Sequence, residues 1–157
     1  MSGMSELKSQ LRADLTAAMK AKDTLRLSTL RMLLSAIQTA EVAGTEAREL
    51  TDAEVIAVLQ KESKKRNESA EVYTQAGRGD LAANEHAEAH IIDEYLPTQL
   101  TDAEVADLAD TAIAQVAEEI GARPGMRQMG QVMKVATGLA AGKADGSRIS
   151  AAVKARL

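Results

Sequence analysis

Leu50–Pro97 reads LTDAEVIAVLQKESKKRNESAEVYTQAGRGDLAANEHAEAHIIDEYLP, and how this stretch folds decides the rest of the chain. Its opening residues specify a helix start. Thr51 is placed to cap, Glu54 at N3 completes a capping box, and Leu50 and Val55 form a hydrophobic staple across the entry. The helix is predicted to run to the turn Gly77-Arg78-Gly79-Asp80. There Gly77 suits the left-handed residue just past a helix, and Asp80 is expected to cap the return helix. Pro97 is expected to stop that return helix, because the residue before a proline avoids the α region. The stretch is therefore read as a hairpin of two long helices on which the other elements pack.

Upstream, apolar residues recur at spacings of three and four. Leu7, Leu11, Leu15, Ala18 and Met19 mark a first helix from Ser5 to about Lys20, and Leu27, Leu30, Leu34 and Ile37 mark a second from near Asp23. The pattern fades over Glu41–Glu49, which reads as a loop around Gly44. Within the hairpin, Val55, Val58 and Leu59 give an apolar face that Lys61, Lys64, Lys65 and Arg66 interrupt, and Val72 and Tyr73 restore it. Downstream, LTDAEV recurs letter for letter at Leu100–Val105, so the same box and staple start a fifth helix lined by Val105, Leu108, Ala112, Ile113, Val116 and Ile120. Pro124 and Gly125 lead into a sixth helix over Met126–Thr137, and Ser147 or Ser150 begins a short seventh. The expected fold is all-α: an N-terminal helical bundle, residues 1–97, followed by a small C-terminal three-helix domain, residues 98–157. Pro97-Thr98-Gln99 is the expected hinge.

Composition supports helices and narrows the chemistry. Phe and Trp are absent and Tyr occurs twice, which favours aliphatic helix packing over a β-rich fold. Without cysteine there is no disulfide framework, thiolate nucleophile or thiolate metal site. No apolar run approaches the roughly 20 residues needed to span a bilayer, so no membrane partner is expected. The N-terminus lacks the basic and apolar regions of a signal peptide, and the expected location is cytoplasmic.

Charge is segregated in the C-terminal part. Thr98–Ile120 holds six acids and no Lys or Arg, whereas Gly121–Leu157 holds seven bases against Asp145 alone, a net of +6. Two readings follow: the acidic and basic helices face each other, or the basic helices form an anion-binding surface. Other constellations carry less. His86 and His90 stand one turn apart near Asp93 and Glu94, but the spacing is not that of HExxH and no metal site is assigned. Gly138–Gly146 has three residues rather than four between its first two glycines, and Ala where a phosphate loop needs Ser or Thr. It is read as a glycine-rich turn whose amides and Lys143 can meet an isolated phosphate. Met126, Met129 and Met133 are assigned to core packing. No Ser, His and Asp set is suggested by spacing, so no catalytic residue and no cofactor are assigned.

Four segments carry a resemblance. QKESKKRNES (Gln60–Ser69), AGRGDL (Ala76–Leu81), AEAHIIDEYLPTQL (Ala87–Leu100) and MGQVM with GKADG (Met129–Met133, Gly142–Gly146) resemble the YqeY-like proteins of the GatB/YqeY family. The resemblance implies an all-helical protein with an N-terminal bundle and a smaller three-helix domain. The related tail of the GatB subunit of the glutamine-dependent tRNA amidotransferase contacts the body of the tRNA, so the resemblance implies tRNA contact at Lys134 and Lys143. It also links the chain to carbon-nitrogen ligation with glutamine as amido-nitrogen donor, although the kinase-like catalytic cradle of GatB has no counterpart here. The leading expectation is a tRNA-binding or tRNA-associated module that is not catalytic alone, with Arg127, Lys134, Lys143, Arg148 and Lys154 as the nucleic-acid-binding residues. The alternatives are an accessory component of such a ligase, or a helical adaptor that binds protein through the Lys61–Arg66 region; a protein partner in tRNA amidation or translation fits either.

Overall fold

The computed structural model describes residues 5–157. Among them are seven α-helices, a single 3-10 turn and no strand: α1 Glu6–Ala21, α2 Thr24–Glu41, α3 Asp52–Gln75, α4 Gly79–Asp93, α5 Asp102–Ile120, the 3-10 turn Met126–Gln128, α6 Met129–Ala140 and α7 Gly146–Lys154. The protein is all-α, as its sequence predicts. The chain divides into two compact units, one ending at Leu96 and the other running Pro97–Leu157.

In the first unit the helix starts are set by side chains. Ser5, Asp23 and Thr51 accept from the amides of Lys8, Arg26 and Glu54 respectively, satisfying donors that a helix leaves open at its N-terminus. The Thr51 capping box is present in full. The α3–α4 turn closes as a Schellman motif: Gly77 has φ +76°, its amide donates to Thr74, and the Arg78 amide donates to Tyr73 at 2.8 Å. Asp80 does not cap α4. The helix begins two residues earlier, at Gly79 behind Arg78, and Asp80 lies in its first turn, where its carboxylate accepts from the Arg78 guanidinium. Pro97 does not set the end of α4 either, since the helix stops at Asp93 and a turn carries the chain through Leu96.

The core of this unit joins Leu11 and Ala18 of α1, Leu30, Leu33 and Ile37 of α2, Val55 and Leu59 of α3, and Ile92 of α4, with Leu50 of the staple packed in. It therefore sits at the base of the α3–α4 hairpin. Toward the tip the two helices bury small residues instead, Ser63 and Ala70 on α3 and Ala82 and Ala89 on α4. Val72, expected to restore an apolar face, is exposed, while Tyr73 is half-buried. Lys8 is buried among apolar residues, which is tolerable only because its ammonium is fully engaged: it donates to both Glu41 oxygens at 3.0 and 2.8 Å and to Glu49 at 3.2 Å.

The second unit has its own core, built from Val105, Ala109, Ala112, Ile113 and Val116 of α5, Val132, Ala136 and Ala140 of α6, and Ile149 and Val153 of α7, with Ala144 between the last two helices. Thr101 repeats the capping box of Thr51, and Gly121 ends α5 at φ +72°. Met129 and Met133 pack on this core, but Met126 and Ile120, both assigned inward from sequence, are exposed. Helix α6 runs past Thr137 to Ala140 with Gly138 inside it, and α7 is capped by Asp145 rather than by a serine; Ser147 donates to that same carboxylate. The expected hinge is fastened at its far end within this unit. Gln99 donates to the carbonyls of Pro97 and Gly142, and the Leu100 amide donates to that of Lys143.

Candidate nucleic-acid interface

The sequence leaves open whether the bases of the second unit pair with its acids or stay free, and the structure divides them. Arg156 pairs with Asp110 at 2.8 Å, and Arg123 donates to the Arg156 carbonyl at 2.7 Å. Arg148 donates to the Leu100 carbonyl at 2.7 Å and to Asp102 at 2.9 Å, tying the start of α7 to the start of α5. These three guanidiniums are internal fasteners. Arg148, grouped by sequence with the nucleic-acid-binding residues, is thus occupied by its own unit.

Arg127, Lys134, Lys143 and Lys154 are different. All four are exposed, and none makes an ion pair with a described residue. The charge of Lys143 is nevertheless felt at Glu104, whose carboxyl is held below the usual range first by the Thr101 cap and to a smaller extent by that lysine. Arg127 lies in the 3-10 turn before α6, and besides Leu139, which is exposed elsewhere on the helix, the exposed positions that follow are Gly130, Gln131, Lys134, Thr137, Gly138 and Ala141. Their spacings of three and four put them on one side of the helix, opposite buried Val132, Ala136 and Ala140. Lys134 is the cation of this face, Arg127 stands before it in the 3-10 turn, and the other side chains of the face are small or uncharged. A surface of that kind lets a phosphate backbone approach closely and offers charge without a pocket to read a base.

The glycine-rich turn is less open to an anion than its sequence suggests. Ala141 and Gly142 take the left-handed conformation, with φ of +50° and +81°, and the Lys143 amide is spent on the Ala140 carbonyl at 2.9 Å. The Asp145 carboxylate occupies the N-terminus of α7, so negative charge stands where a helix would otherwise attract it. Only the Lys143 side chain remains of the predicted phosphate contact.

The basic segment of α3 also separates into parts. Lys61, Lys64 and Lys65 are exposed, whereas Arg66 turns inward with its side chain only 11% exposed, held by Glu62 at 2.7 Å and by Glu88 at 3.8 Å. His86 faces Asn67 at 3.3 Å. Among the described residues, no group of three His, Asp or Glu side chains is placed to hold a metal ion. Among the same residues, no helix is long and apolar enough to cross a membrane.

The Yqey-like protein family model matches residues 8–157, so the match takes in both units and both basic surfaces. The chain belongs to the YqeY-like family. Curated relatives of this YqeY-like protein include the Altered inheritance of mitochondria protein 41, mitochondrial, of Meyerozyma guilliermondii, 33% identical over 127 residues, or 80% of this chain and 66% of that one. The protein of the same name from Clavispora lusitaniae is 39% identical over 90 residues, covering 57% of this chain and 51% of its own. That from Pyrenophora tritici-repentis is 31% identical over 134 residues, 83% and 71% respectively. The chain thus spans about half to two thirds of the length of the first relatives it matches. These names correct the cytoplasmic expectation, because the relatives are mitochondrial by name. The physical reason is plain: lack of cysteine and of an apolar span is compatible with many compartments and singles out none.

Proposed function

We propose that this YqeY-like protein is a non-catalytic tRNA-binding module that meets the phosphate backbone of folded tRNA through Arg127, Lys134, Lys143 and Lys154. The observation that carries the reading is that these four cations stay exposed and unpaired while Arg123, Arg148 and Arg156 are consumed by internal contacts. Arg148 then serves as a positioning residue, fixing α7 against α5 so that Lys154 and the Lys143 turn are presented on a rigid unit. The absence of Phe and Trp removes the usual platforms for stacking single-stranded bases, which favours a structured RNA. On this reading any link to glutamine-dependent amidation is through RNA held for another subunit.

The test is tRNA binding by fluorescence anisotropy across a salt series. Lys134→Glu with Lys143→Glu is expected to weaken binding and to lower the slope of log affinity against log salt by roughly 0.7–0.9 per lost contact. Charge reversal at Lys64 and Lys65 is expected to matter less. If tRNA does not bind at low salt, or if the Lys64 and Lys65 reversal abolishes binding that the Lys134 and Lys143 reversal leaves intact, the C-terminal surface is not the interface.

A further inference from the structure

A second cationic feature lies in the first unit, in a cleft of about 330 Å³ between α1 and α2. Helix α1 contributes Lys8, Arg12 and Leu15, one turn apart on one face, and α2 contributes Arg31, Leu34, Ser35, Gln38 and Glu41 on the facing side. The helices are antiparallel, since the start of α1 meets the end of α2 through the Lys8–Glu41 pair. Arg12 and Arg31 therefore lie on opposite sides of the level at which Leu15 and Leu34 stand.

The charge balance of the cleft is decided at its end. Glu41 is its one acid, and the buried Lys8 neutralises it through both carboxylate oxygens. Arg12 and Arg31 have no such balance. Both are exposed, and neither guanidinium makes an ion pair or hydrogen bond with a described residue; the same holds for the side chains of Ser35 and Gln38. The result is a concave site with two permanently charged forks, a hydroxyl, an amide and a short aliphatic wall.

We infer that this cleft binds a small phosphate ester, whose phosphoryl group Arg12 and Arg31 reach from either side and whose organic part shares the aliphatic floor of Leu15 and Leu34. Phosphate suits the site because its several acceptor oxygens take paired N–H donors from two guanidiniums, while Ser35 and Gln38 complete the shell. A compact ligand suits it better than a polymer. The volume is at the lower end of small-molecule pockets, and the cations flank a recess instead of standing on a convex helix face as Lys134 does.

The experiment is an amide NMR titration of the full chain with adenosine monophosphate, with inorganic phosphate, and with sodium chloride at matched ionic strength. Saturable shifts confined to residues around Arg12, Leu15, Arg31, Ser35 and Gln38 are expected with the nucleotide. Inorganic phosphate should bind more weakly at the same residues, and chloride should not reproduce the effect. Arg12→Gln with Arg31→Gln should lower nucleotide affinity by about tenfold or more, the loss expected when a charged hydrogen-bond donor is removed. The variant should keep its thermal midpoint, because neither side chain is used by the fold, and Lys134→Gln with Lys143→Gln should leave nucleotide binding unchanged. The inference fails if chloride gives the same shifts, if inorganic phosphate binds as tightly as the nucleotide, or if the double arginine variant binds normally. It fails equally if tRNA, titrated into the same sample, perturbs these amides and the nucleotide does not.

Discussion

Lys8 shows how much one residue can hold. Its ammonium closes the α1–α2 pair onto the loop before α3, since Glu41 also approaches the Leu50 amide at 3.5 Å and Glu49 lies in that loop. Lys8→Met is expected to cost about 3 kcal/mol, because it strands a Glu41 carboxylate whose side chain is only 12% exposed. The signs of the pH dependence follow from both partners. The Glu41 carboxyl is held below its ordinary value chiefly by the Lys8 hydrogen bond, so its contribution is complete above the usual carboxylate range and is lost as pH falls through the lowered value. For Lys8, burial lowers the pKa but Glu41 and Glu49 outweigh it, so its contribution is complete below the ordinary lysine value and is lost as pH rises through the raised one. Urea unfolding should show a plateau from about pH 5 to 10 for this pair. In the Lys8→Met protein Glu41 has burial without a partner, its pKa rises, and the deficit against wild type should shrink on acidification; a deficit that grows would refute the account.

At the scale of elements, what the sequence made legible was local. The two LTDAEV copies form capping boxes of nearly the same geometry, with Thr51 and Thr101 amides donating to Glu54 and Glu104 at 3.0 and 2.9 Å. Glu54 is held down to about 2 by Arg48 first and Thr51 second, so the first box has an added ion pair where the second has only the weaker pull of Lys143 on Glu104. Boundaries chosen by competition between neighbours were not legible. Asp80 was claimed by Arg78, and Asp145 displaced Ser147 as the cap of α7 by taking both the Arg148 amide and the serine hydroxyl. Thr51→Ala and Thr101→Ala should each cost about 1 kcal/mol. Because Leu50 and Val55 lie in one core while Val105 lies in the other with Leu100 packed against it, NMR-monitored thermal unfolding should show each substitution moving the signals of its own unit. Equal shifts across both units would contradict two self-contained cores.

For the whole molecule, the all-α class was readable because aliphatic periodicity and caps agree along the chain. The candidate interface was readable only in part. Segregation of charge along the sequence announces a basic surface, but which cations remain free depends on tertiary partners: Arg148 and Arg156 lie among the same basic residues as Lys154 and are paired. The α1–α2 cleft left no sequence signal, since Arg12 and Arg31 belong to different helices and become neighbours of one recess only when the Lys22-Asp23 turn reverses the chain. That turn depends on Lys22 adopting φ +60°, which no side chain pattern specifies.

The position of the first core at the base of the hairpin has a consequence in time. Helix α3 has 24 residues, about 36 Å of helix, yet its large buried side chains, Val55 and Leu59, lie in its first third. Beyond Arg66 the hairpin is closed by buried Ala70 and Ala82 with half-buried Tyr73 and Leu81, which together bury less apolar surface than the fully buried side chains at its base. The tip can therefore unzip while the base stays shut, a partial opening far cheaper than global unfolding. Native-state hydrogen exchange should find amides from Ala70 to Ala82 exchanging orders of magnitude faster than those of Val55, Leu59 and Ile92, with little sensitivity to low urea. The outer half of the hairpin is thus the part of the first unit whose order a partner can most readily change.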